Sequence, residues 1–364
     1  MRITAIEPII VDIPTRDPVK GVHGVTRAQR SVLVRLVADD LVGWGNVDPT
    51  PGYTVMSADE IYTAIDRFAP ALIGGDAMNV NVALATMDAA LQEGYEAKAA
   101  VEMALCDVKA RALGIPVHVL LGGATKTDIP LNAWIGTVPP EQAAAEAWDW
   151  LERGFRSAKI KIDGADPAGI RRVAAVRDAV GDRMALRVDF NESLPMAEAT
   201  GYIRQLERYD LTLVEQPVGR DRIADLATIR RSIGIKLMAD ESVTGPTSLI
   251  DIIRQEAADI VKVKVMKQGG LSRTIDMVRT AAAAGLGIVI GHGFGLTLST
   301  LAEATVVAVC PAVLDGCEAV GPLKMAADVV DELAALDRGV IRLGNRPGFG
   351  VEIDPPALAR VRRA

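Results

Sequence analysis

Seven residues that carry chemistry recur along this chain at nearly even spacing. They are Lys161, Asp189, Glu215, Asp240, Lys264, His292 and Glu318, separated by 28, 26, 25, 24, 28 and 26 residues. Each ends or closely follows a short apolar, β-prone run: SAKIKID, ALRVDFN, LTLVEQP, IKLMADE, IVKVKVM, LGIVIGHG and AVLDGCE. Stretches of helical pattern lie between the runs. A repeat of this length, strand then helix, is that of a βα barrel, which carries its chemistry at the carboxyl ends of its strands. The first barrel strand is placed at Asp128–Trp134, ahead of a helix over Pro140–Gly154.

At 364 residues the chain is long enough for a barrel and a second domain. The net charge of −7 argues against a nucleic-acid partner or an anionic membrane surface. No apolar run reaches the length of a membrane span, and the opening MRITAIEPIIVDIPT alternates rather than showing a signal peptide. Cys106, Cys310 and Cys317 have neither metal nor disulfide spacing, which fits a reducing cytoplasm. The segment GHGFG lacks the spacing and helix context of a dinucleotide fingerprint.

The amino-terminal part reads as an antiparallel meander, with strands over residues 1–14, 30–37 and 41–46. The connection Arg16–Gln29 is polar, glycine-rich and long for a hairpin, so it is expected to be a substrate lid, with Lys20, His23 and Arg27 on it. A turn-rich stretch over 48–54, carrying Tyr53, is expected to close the same pocket. Helices follow: one starting at the capping signal Ser57–Glu60, one over Val80–Gly94, and one over Ala97–Leu113 that stops at Gly114. The last is Ala-rich on one face and is expected between domains. His118 is expected to be structural.

Within the barrel, period-two alternation puts Lys159 and Lys161 on one face, and likewise Asp189 and Asn191. Lys159 suits binding a carboxylate, and Lys161 suits the role of a base. Asp189, Glu215 and Asp240 end three adjacent strands at matching depth. Such acids converge on one ion, and oxygen-only ligation favours Mg²⁺ or Mn²⁺ over zinc. Asp240 and Glu241 point opposite ways, so one is a ligand and the other stands behind it, as Asn191 does. Lys262 and Lys264 share a parity on the next strand. His292 lies between glycines that leave room for a ligand, and Glu318 follows an irregular last strand. A cation flanked by lysines suits removal of the proton α to a carboxylate, giving an enediolate whose charge the cation and Lys159 stabilise. Lys161 and Lys264, on opposite faces, would remove and return the proton.

The ordered stretches AAVEMALCDVKARALGIPVHVLLGG, AKIKID, RVDFNES, VEQP, MADES, VKVMKQGG and GPLKMAADVV resemble the enolase superfamily, more closely its muconate-lactonizing subgroup. The resemblance covers essentially the whole chain. It implies an α/β fold: a modified TIM barrel, (β/α)₇β, with an N-terminal α+β capping domain. It implies domains over 1–125 and 126–325, with the segment 326–364 returning to the cap. It also implies Mg²⁺ on Asp189, Glu215 and Asp240, catalytic Lys161 and Lys264 supported by Lys159, and a symmetric homo-oligomer. Three motifs depart from the family pattern: Gly43-Trp44-Gly45-Asn46, His292-Gly293-Phe294-Gly295 and Arg346-Pro347-Gly348-Phe349-Gly350. His292 sits where the mandelate-racemase subgroup places a histidine, but Lys264 replaces the aspartate that would partner it. Glu318 matches an acidic position of the cycloisomerases. The expected activity is an isomerisation, by a cycloisomerase or racemase/epimerase, of a small carboxylate. The alternatives are a dehydratase using Lys161 as base and His292 or Lys264 as acid, and, from another class, a catalytically silent carboxylate-binding protein.

Overall fold

The computed structural model describes residues 1–21 and 24–363. Strands β1 (Ile3–Gly21), β2 (Gly24–Ala38) and β3 (Leu41–Val47) form an antiparallel sheet in that order. The connection expected to be a loop over 16–29 is instead the far end of the β1–β2 hairpin. Its ladder is interrupted by a register shift between Pro14 and Val19 and resumes with Val19 opposite Thr26. Pro18 and the glycines mark this irregularity rather than the end of pairing. His23 and the side chain of Lys20 lie outside the described residues.

Three helices cover this sheet: α1 (Ala58–Leu72), α2 (Val80–Ala90) and α3 (Tyr95–Leu113), followed by the single turn α4 (Val117–Leu120). Helix α1 starts on the expected capping box, with Ser57 and Glu60 each bonding the other's backbone N–H. Helix α3 is buried on nearly every side rather than on one face, because β3 packs on one side and the barrel helices on the other. Gly43 and Gly45 permit that approach: a Cβ at either would collide with the carbonyl oxygen of Ala104 or Ala100. Glu102 of α3 is buried and accepts from Leu271 N at 2.8 Å and Ser272 N at 3.0 Å. It thereby satisfies orphan donors of a barrel helix.

The expected strand 128–134 is divided into β4 (Asp128–Pro130), which leaves the barrel, and β5 (Ala133–Ile135), which begins it. Helices and strands then alternate: α5 (Pro140–Glu152), β6 (Ser157–Lys161), α6 (Pro167–Val180), β7 (Ala185–Asp189), α7 (Met196–Leu206), β8 (Leu211–Glu215), α8 (Ile223–Arg230), β9 (Leu237–Ala239), α9 (Pro246–Arg254), β10 (Ile260–Val263), α10 (Val265–Gln268), α11 (Leu271–Ala283), β11 (Gly287–Ile290) and α12 (Thr297–Val309). Strands β5 to β11 are parallel neighbours in sequence order. An irregular eighth segment over 313–318 closes the ring. Leu314 N and Glu318 N donate to Ile288 O and Ile290 O, both at 2.9 Å, on one side, and Cys317 N donates to Pro130 O at 2.9 Å on the other. Gly291 admits this segment, since a Cβ there would strike the Glu318 backbone.

The last stretch contains α13 (Gly321–Lys324), β12 (Leu336–Asp337), β13 (Val340–Arg342) and α14 (Pro355–Val361). Strand β13 pairs with β4, Gly348 bonds residues 115 and 117, and Arg363 N donates to Ile10 O at 3.0 Å. Residues 326–336 form no helix. Asp331 instead accepts from Glu352 N at 2.9 Å, and Val330 bridges to Ile353, so tertiary pairing overrides local propensity. No helix among the described residues is long and apolar enough to cross a membrane.

Candidate active site

Strand register sets the geometry. Lys161 of β6 pairs with Asp189 of β7, and Asp189 pairs with Glu215 of β8, so the three stand on one rung at the carboxyl end of the sheet. Asp240 follows β9 directly, and Lys264 follows β10. The backbone turns sharply just past these positions: Asn191 and Gln216 have φ of +42° and +33°. Such strain at strand ends persists only where surroundings fix it, and it clusters at functional sites. These side chains open into a cavity of about 430 Å³ roofed by the β1–β2 hairpin and by the turn carrying Tyr53.

The carboxylates and lysines interlock. Lys159 Nζ lies 3.0 Å from Asp189, 3.1 Å from Glu215, and against Glu318. Lys262 Nζ is 2.9 Å from Glu215, 3.6 Å from Asp240, and also meets Glu318. Lys161 donates to Asp189 at 2.6 Å and to Asn191. Lys264 donates to Asp240 at 2.7 and 2.8 Å and to Tyr53, whose hydroxyl itself donates to Asp240 at 2.7 Å. Burial works against charge on Lys159, but Glu215, Glu318 and Asp189 hold it well above the ordinary lysine range. Burial and then Lys267 push Lys264 well below that range. Burial alone would raise Glu318, yet Lys159, Lys262 and Arg187 pull it well below the usual carboxylate range. It is therefore a fixed anion among three cations, not a proton donor.

Asp189 is likewise held low against burial by Lys161 and Lys159, whereas Glu215 is pushed well up by burial and Asp189. Glu241 turns away from the cavity and accepts from Asn191 Nδ2 at 2.9 Å. Burial and Asp240 push it up to about 8. Among the described residues no three His, Cys, Asp or Glu side chains stand ready-assembled around a metal position, because the Lys159 and Lys262 ammonium groups bridge the three carboxylates. The donor set fits a hard cation nonetheless: three buried carboxylates without His or Cys, and behind them a buried Glu241 Oε2 that has no hydrogen-bond partner.

His292 lines the cavity, and its Nε2–H donates to the Asp48 carbonyl at 2.9 Å. Among the described residues no carboxylate partners it. Burial and then Lys264 push it down to about 3, so it is neutral. Arg27 lines the cavity from the hairpin. His118 meets Gly344 O at 3.3 Å, far along the chain from the site, as a structural histidine. Four contributors escaped the sequence reading. Arg220 pairs with Glu192 at 2.6 Å and donates to Gly52 O and Tyr53 O at 3.1 and 3.4 Å, clamping the Tyr53 turn. Trp134 and Lys324 line the wall near β5. Glu303 of α12 holds Val265 N at 2.9 Å beside Lys264, and burial pushes it up to about 8. Of these, Trp134 carried a sequence signal, since it lies on a barrel strand, and Lys324 lies in the stretch GPLKMAADVV, which assigned it no role.

Residues 5–122 match the mandelate racemase/muconate lactonizing enzyme N-terminal domain, and residues 142–357 match the enolase C-terminal domain-like family. The chain is 32% identical to a chloromuconate cycloisomerase of Pseudomonas putida, over 100% of both chains. It is also 32% identical to an L-Ala-D/L-Glu epimerase of Bacillus subtilis, over 96% of this chain and 97% of that one. The solved N-succinyl Arg/Lys racemase of Bacillus cereus superposes with a TM-score of 0.96 at 29% identity, covering 100% of this chain and 99% of the other. Enzymes of this family are generally metal-dependent. The chain belongs to the mandelate racemase/muconate lactonizing enzyme family of the enolase superfamily, and it is an isomerase of that family.

Proposed function

We propose that this enzyme, with Mg²⁺ or Mn²⁺, removes the proton α to the carboxylate of a small molecule and acts as a cycloisomerase or a racemase/epimerase. One observation carries this: Lys161 and Lys264 reach into one cavity from β6 and β10, with the three carboxylates of β7, β8 and β9 between them in the sheet. Asp189, Glu215 and Asp240 would hold the cation, which supplies positive charge for the substrate carboxylate. Asn191 and Glu241 support those ligands. Lys159, kept charged by its carboxylate neighbours, steadies the negative charge that grows on the substrate oxygens as the proton leaves. One lysine takes the proton and the other returns one to the opposite face. A single lysine suffices where a ring closes or opens. Glu318 fixes Lys159 and Lys262, and neutral His292 offers a hydrogen bond rather than a charge. The hairpin with Arg27, and the turn with Tyr53, cover the substrate.

The relatives' names support a muconate-like diacid or an amino-acid derivative as substrate. The family likeness supports a symmetric homo-oligomer and the division into 1–125, 126–325 and 326–364. Three free, buried cysteines support a reducing compartment such as the cytoplasm. The test is α-proton exchange in D₂O, followed by NMR across muconates, N-acyl amino acids and dipeptides. Exchange is expected with at least one class and is expected to vanish in Lys161→Ala or Lys264→Ala. Exchange that survives both substitutions, or loss of water as the main reaction, would sink the isomerase mechanism.

A further inference from the structure

Lys324 is a buried lysine that the mechanism above leaves without a task. It ends α13 and is 7% exposed. Its Nζ lies 4.4 Å from the ring centroids of both Trp134 and Phe294 and donates to Gly293 O at 2.6 Å. The other lysines at the cavity, Lys159, Lys161, Lys262 and Lys264, each touch a carboxylate. Among the described residues Lys324 makes no ion pair. An ammonium has three donors, and two ring faces with one carbonyl replace only part of its hydration. Burial, then Lys161 and Lys159, push it well below the ordinary lysine range, so a nearby anion would relieve it.

Its location adds direction. Trp134 belongs to β5, and Phe294 follows β11, so Lys324 sits at the seam where the eighth segment closes the ring. The proposed cation ligands end β7, β8 and β9, on the opposite side of that ring. Lys324 also lines an adjoining cleft of about 450 Å³ that shares Val19, Trp134 and Gly136 with the main cavity. Six basic side chains and three carboxylates line the main cavity, and Glu215 pairs with Lys159 and Lys262 behind it, so basic groups still outnumber carboxylates there.

We infer that Lys324 is a specificity-determining residue that binds a second carboxylate at the far end of the substrate, making the substrate a dicarboxylate that spans the barrel mouth. This rests on the proposed function for the placement of the first carboxylate. The test is calorimetric titration of the Mg²⁺-loaded enzyme with adipate and with cis,cis-muconate, each against its monomethyl ester. The wild-type protein is expected to prefer a diacid by about tenfold or more, as a charge-assisted contact allows. Lys324→Met is expected to bring that ratio close to one, and Lys324→Gln should do the same if the Met variant fails to fold. Lys324→Arg should restore part of it. No diacid preference in the wild type, or a preference that survives in Lys324→Met, overturns the proposal. Lys161→Ala is expected to keep the binding ratio while losing proton exchange, so failure of the catalytic mechanism reads separately from failure at Lys324.

Discussion

Asp48 is a buried carboxylate with hydroxyl and amide partners and, among the described residues, no ion pair: Ser31 and Asn46 donate to one oxygen, and the Ser299 hydroxyl also favours its charged form. Burial pushes it up to about 6. A carboxylic acid raised above its unfolded value binds a proton more tightly when folded. Its contribution therefore favours the folded state at low pH and is lost as pH rises from about 4 to about 6, by about 3 kcal/mol in all. Denaturant unfolding at about pH 4 and about pH 7 should show the wild type losing roughly that much relative to Asp48→Asn. Parallel pH profiles would show that Asp48 does not titrate in this window. Tyr53 belongs to the same scale. Tyr53→Phe leaves Asp240 and Lys264 each short of a partner and should lower kcat/KM by about tenfold, measured by proton exchange. The three acids and the paired lysines were legible because strand alternation and a repeating spacing leave few other places for them. Lys324 was not, because α13 stands outside the repeat and no periodicity aims its side chain.

At the scale of elements, the glycines of β3 separate two explanations. In the run Gly43-Trp44-Gly45-Asn46 both glycines serve packing against α3 rather than the substrate. Gly45→Ala would drive a methyl group into the Ala100 carbonyl and should destabilise by about 1–3 kcal/mol or more, read as a lower Tm. An unchanged Tm would mean that α3 yields without cost. Arg220 tests the second cover: Arg220→Met frees the Tyr53 turn and should raise KM more than it lowers kcat. Element types were legible from apolar runs and capping signals. What sequence hid were the choices settled by distant partners. The β1–β2 ladder continues through a stretch rich in turn residues because each strand already holds the other, and 326–336 gives up helix for contacts with 352–354.

For the molecule as a whole, cation binding should register as stability. A ligand that binds only the folded chain adds about 2.7 kcal/mol at one hundred times its Kd, so Tm should climb with MgCl₂ and cease to do so in Asp189→Asn. A flat Tm in the wild type would argue against a cation at these carboxylates. The ring itself was legible from its period, while its irregular closure at 313–318 was legible only as a glycine-marked strand end. The return of the final stretch to the first sheet carries a consequence for synthesis. Ile10 and residues 115–117 emerge from the ribosome long before Arg363 and Gly348, which complete their hydrogen bonds. The barrel must therefore be made while the first layer is still unfinished, and the nascent protein spends most of its translation with that layer's edge open to chaperones and proteases.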